Sequence, residues 1–60
     1  MMDRDTLIEH MFQLLESPSR ELTKWEENFL ESVQEQWARR KTLTDRQFET
    51  LERIYAEKTA

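Results

Sequence analysis

The side chains able to do chemistry are few and scattered. His10 is the single histidine, with Glu9 beside it and Thr6 one helical turn before it. A nucleophile needs a base in reach and a group that orients that base. His10 lacks such a set and reads as a histidine at a helix edge. Carboxylates are plentiful, but on helices they form solvated faces rather than an acid/base pair in a cleft. One histidine and scattered glutamates lack the paired spacings of a zinc site. The calcium-loop pattern, with its repeated acids and central glycine, is also missing. The chain has no cysteine, which excludes disulfides, thiol nucleophiles and thiolate metal sites. The expectation is a non-enzyme with no catalytic residue, no metal, no cofactor and no small-molecule substrate.

Three other groupings suit recognition. Arg39, Arg40, Lys41 and Arg46 cluster in sequence, and Gln47 follows them. If this were a helix–turn–helix reader, Arg46 and Gln47 could reach guanine and adenine edges near the start of the second helix. Asp45 and Glu49 would repel phosphates there, and the same bases also suit the negative end of a helix dipole. The second grouping is Glu27, Glu31 and Glu35, an acidic ridge at four-residue spacing with Glu26 beside it. Like charges so spaced cost a helix a few tenths of a kcal/mol per pair. Such a ridge could imitate a phosphate row for a basic partner. The third is aromatic. Trp25 and Trp37 stand twelve residues apart, about 18 Å along a helix, a span that a small core does not readily cover. The indole left bare would join Phe12 or Tyr55 in a partner-binding patch. Trp37, beside Ala38 and the basic end, is the one expected to be bare.

These groups must be positioned by helices, because the apolar residues recur with helical spacing. Trp25, Phe29, Val33 and Trp37 recur every four residues and Leu30 widens the stripe. This predicts a central helix 2 over about 24–40. Thr23-Lys24-Trp25-Glu26 fits a capping box at its start. Leu7, Met11, Leu14 and Leu15, broadened by Ile8 and Phe12, predict helix 1 over about 5–16, with Asp3 or Asp5 as its cap. Ser17-Pro18-Ser19 ends it, since a proline disfavours helix in the residue before it. Arg20-Glu21-Leu22 could form a single turn. Thr44-Asp45-Arg46-Gln47 is a second capping box. Leu43 and Phe48 hold the two positions of a hydrophobic staple, and helix 3 follows over about 45–58. Its buried stripe is Phe48, Leu51, Ile54 and Tyr55. Glu49, Glu52, Arg53, Glu57 and Lys58 form its solvated side.

Trp25, Phe29 and Leu30, then Leu43-Thr44, Gln47, Leu51, Ile54 and Tyr55, give a W…FL…LT..Q…L..IY spacing. This resembles helical segments of small phage- and prophage-type bacterial proteins, some attached to replication or recombination functions. The resemblance spans about residues 22–58. It implies a helical hairpin and a bacterial or phage origin, and carries over no catalytic residue.

The sixty residues allow one domain over 1–60 with one small core, frayed at 1–4 and 59–60. The predicted fold is all-α, three helices in an antiparallel arrangement, with the hairpin of helices 2 and 3 as the main unit and helix 1 closing over it. No apolar run approaches a membrane span. The opening MMDRDTLIEHMF is neither a secretory signal nor a span, so a cytoplasmic location follows. Net charge is −4. Nine acids and three bases give −6 over residues 1–35, and four acids and six bases give +2 over 36–60. An acidic chain does not draw phosphate backbones over long range, but the asymmetry permits a head-to-tail contact between copies. The functional expectation is an accessory or regulatory interaction module binding a protein partner or itself. Its face would hold Phe12, Trp37 and Tyr55, with Glu27, Glu31 and Glu35 beside them. The alternative is a nucleic-acid-binding accessory factor using Arg39, Arg40, Lys41, Arg46 and Gln47.

Overall fold

Each helix begins where a short polar side chain can satisfy its first free amides. The computed structural model describes residues 3–59. It contains α1 (Arg4–Leu15), α2 (Lys24–Arg40) and α3 (Asp45–Lys58), with no strand among the described residues. The Asp3 carboxylate accepts the Thr6 amide at 2.8 Å and caps α1. Thr23 and Thr44 close capping boxes with Glu26 and Gln47. The fold is all-α with three helices, as the periodicity predicts.

The helix ends follow equally local causes. Ser17-Pro18-Ser19 stops α1, and residues 20–23 carry no helical turn, so the single turn expected at Arg20–Leu22 is absent. α2 ends on Lys41, whose φ of 54° is left-handed. A chain without glycine must place an ordinary residue there. Arg4 and Thr59, where fraying is expected, both bond to the rest of the chain. Arg4 opens α1 and pairs with Asp45 at 3.0 Å, while the Thr59 hydroxyl and amide both donate to the Tyr55 carbonyl. The same expectation for Met1, Met2 and Ala60 lies outside the described residues.

Successive helices reverse direction, so α1 and α3 run the same way. Arg4 meets Asp45 at one end, and the Ser19 and Arg20 amides reach the Lys58 carbonyl at the other. The hairpin of α2 and α3 is not the tightest unit. α3 packs most closely on α1 and is shared by both other helices. The reason is the breadth of the α1 stripe: Ile8, Met11, Phe12 and Leu15 are all buried, at the i, i+3, i+4, i+7 spacing of one face. They meet Leu30, Val33, Trp37, Leu43, Leu51 and Ile54 in one cluster. Leu7, Leu22, Phe29, Phe48 and Tyr55 pack around it, half-buried. Leu14, expected in the seam, is exposed instead.

Candidate functional site

The two indoles occupy opposite situations, and the reverse of those expected. Trp37 is 5% exposed and lies in the core, whereas Trp25 is 60% exposed. Residues four apart on a helix drift by about 40° per step. Three steps turn Trp37 about 120° from Trp25, so both cannot face one core. The core-facing direction of α2 is set by Glu26, Leu30, Val33 and Trp37. Phe12, also placed in the binding face, is buried because it falls on the central stripe of α1. Tyr55 is half-buried and stands edge-on to His10, with ring centroids 6.2 Å apart.

Trp25 is held as a flat, presented ring. Its indole stacks on Phe29 at 5.4 Å between centroids and 10° between planes. Phe29, one turn on, is anchored against the core and so supports it. An offset or parallel stack of this kind adds about 0.5–1.5 kcal/mol beyond area burial. The indole therefore sits on a platform rather than waving free.

Glu27, Glu31 and Glu35 are exposed along the outer side of α2. Glu35 accepts from Arg39 at 2.8 Å, so the ridge is neutralised at one end. Glu26 departs from the ridge altogether. It is buried, and one of its oxygens takes the Thr23 amide at 2.8 Å and the Lys58 ammonium at 3.4 Å. The Thr23 amide, and after it Lys58, hold its carboxyl below the ordinary value of 4.5, against the opposing effect of burial. Lys58, read as solvated, is thus drawn inward to meet this charge.

The basic corner is less available than its composition suggests. Arg39 is tied to Glu35. Lys41 pairs with Glu9 at 3.7 Å and lies 5.5 Å over the Trp37 ring. Gln47 is not free to read a base edge. Its carbonyl oxygen accepts the Thr44 amide at 2.9 Å and the Gln36 amide at 2.9 Å, and its own NH₂ donates back to Gln36 at 3.1 Å. Arg40 and Arg46 are exposed and make no ion pair among the described residues. Asp45 is taken up by Arg4, whose guanidinium also stacks 4.3 Å over Phe48.

A depression of about 320 Å³ opens on the outer side of α3, lined by Arg46, Glu49, Thr50 and Arg53. It does not include His10. Two guanidinium groups flank a carboxylate there, which partly cancels any attraction for an anion. No group of three or more histidine or carboxylate side chains among the described residues could hold a metal. No helix among them is long and apolar enough to cross a membrane. Sequence reasoning missed Trp25 as the exposed ring and the inward Glu26–Lys58 pair. The four-residue drift carried the signal for the first. The second had none, since its partners are thirty-two residues apart. Comparison with protein-family models, with curated proteins and with solved structures finds no match to this chain.

Proposed function

We propose that the chain is a non-enzymatic interaction module that binds a protein partner or a second copy through the aromatic platform of Trp25 and Phe29. The reading places it in the cytoplasm of a bacterium or phage-infected host, as an accessory or regulatory factor. The observation that carries it is the 60% exposed Trp25 indole, stacked flat on a core-anchored Phe29. Exposed, pre-ordered indoles are frequent anchors of protein interfaces, because little side-chain entropy is lost when they are covered. Glu27 and Glu31 on the neighbouring side of α2 would favour a partner that is not acidic. The nucleic-acid alternative has less support, since Arg39, Lys41 and Gln47 are engaged within the chain.

The test is Trp25→Ala, with circular dichroism to confirm that the helices persist. Loss of a buried interface indole costs about 2 kcal/mol or more, about a 30-fold weakening. Partner retention from a bacterial lysate and self-association over a concentration series should both be scored. The reading is overturned if neither occurs, or if both survive the substitution unchanged.

A further inference from the structure

The start of α2 has no apolar anchor. At α3 the staple positions hold Leu43 and Phe48, but the matching positions at α2 hold Leu22 and Glu27, an acid. Lys24, Trp25 and Glu27 are exposed, so Glu26 is the buried residue of the first turn. The turn is therefore held inward by a charge rather than by an apolar contact. One Glu26 oxygen, Oε1, takes both the Thr23 amide at 2.8 Å and the Lys58 ammonium at 3.4 Å. The Thr23 hydroxyl oxygen accepts the Glu26 amide in turn, at 3.1 Å.

Trp25 stands in the middle of this turn. Its stack on Phe29 joins two residues one helical turn apart, and it lasts only while residues 25–29 stay helical. The first amides of a helix have no partner within it, so the first turn is what loosens when its cap is disturbed. Phe29 is packed against the core and stays in place. Withdrawing the Lys58 ammonium would leave the Glu26 carboxylate, only 11% exposed, without its countercharge. A buried charge deprived of its partner is strongly unfavourable. The carboxylate relieves this by turning to water, and it is the chain neighbour of Trp25. The Lys58 carbonyl also receives the Ser19 and Arg20 amides, so the same residue steadies the connection that leads into α2.

We infer that the last turn of α3 controls the presentation of Trp25. With Lys58 on Glu26, the first turn of α2 is fixed and the indole lies flat on Phe29. With Lys58 withdrawn, the turn loosens and the ring leaves its stack. An element with two such states is what coupling between separate places requires. The coupling runs both ways, so a partner that fixes the indole also steadies the end of α3. The inference rests on the reading of Trp25 as the contact residue and adds its regulation.

Nitrogen relaxation of the isotope-labelled chain tests this without a partner, because the Trp25 and Trp37 indole N–H groups give separate signals. In the parent chain the Lys24–Glu27 amides and the Trp25 indole should have order parameters of about 0.85, and in Lys58→Gln these should fall below about 0.6. Lys58→Arg, which keeps the charge, should restore the parent values. Arg4→Ala removes the exposed pair with Asp45 at the opposite end of the molecule and should leave Trp25 unchanged. A second measurement needs no substitution. On warming the parent chain, the Lys58 amide and the Trp25 indole should lose order together, ahead of Trp37. The coupling is overturned if Trp25 keeps its order in Lys58→Gln, if Arg4→Ala loosens it equally, or if Trp25 loosens on warming only with Trp37. In each of these cases the interaction reading stands, since Trp25→Ala judges it separately. An indole already disordered in the parent chain overturns the coupling and the flat platform together.

Discussion

Lys41 shows how a missing residue type shapes a turn. With no glycine anywhere, the left-handed end of α2 falls to a lysine at φ 54°. A side chain with a Cβ is disfavoured there by about 1 kcal/mol. The lysine offsets part of this through Glu9 and the Trp37 face. The Glu9 pair is solvent-exposed and contributes only tenths to about 1 kcal/mol. Lys41→Gly is therefore expected to stabilise the fold modestly, by up to about 1 kcal/mol, raising the thermal midpoint by a few degrees. A drop in the midpoint would show that the lysine contacts outweigh the backbone strain. At this scale the sequence was half legible. The indole pair is visible, but four-residue spacing drifts on a helix of 3.6 residues per turn, and that drift decides which ring faces inward. Trp37 takes the interior position although its Nε1 finds no acceptor there. An unpaired indole N–H costs about 1–3 kcal/mol, comparable to the benefit of burying so large a ring.

Among the elements, α3 is the most strongly specified at its start. Gln47 closes the capping box and also forms a reciprocal amide pair with Gln36, whose NH₂ further donates to the Thr42 carbonyl at 3.2 Å. One side chain thus caps α3 and fixes its register against α2. Gln47→Ala should cost about 1–2 kcal/mol, more than the loss of a simple cap, because Gln36 is left without its partner. Urea unfolding should show this as a lower midpoint than Thr44→Ala. Equal midpoints would mean that the amide pair contributes nothing. The bounds 24–40 and 45–58 and both capping boxes were legible because cap chemistry involves residues three apart. The close approach of α1 to α3 was not, since no local pattern says which two of three amphipathic stripes lie nearest. The amide pair was equally hidden, because glutamine at a helix start already had a complete local explanation.

At the scale of the molecule, one ion pair among the described residues is drawn inward. Glu26 and Lys58 join the first turn of α2 to the last turn of α3 with side chains only 11% and 15% exposed. The carboxyl of Glu26 is held below 4.5 in the fold. Its contribution is therefore complete above that unfolded value and is lost as pH falls through the lower, folded one. Asp3, lowered by the Thr6 amide, acts in the same direction. The thermal midpoint should fall between roughly pH 5 and pH 3, and Glu26→Gln should flatten that fall while lowering the midpoint at pH 7. A pH profile unaltered by the substitution would remove Glu26 as its source. The backbone of Lys58 has a second consequence. Its carbonyl receives the Ser19 and Arg20 amides at 2.7 and 3.2 Å, so the long connection after α1 takes its order from a residue some thirty-nine positions later. The connection cannot settle until the end of α3 is in place, and it loosens when that end lifts. Hydrogen exchange at Ser19 and Arg20 thus reports the detachment of the final turn of α3, and a loop on the surface exchanges as slowly as the helix that holds it.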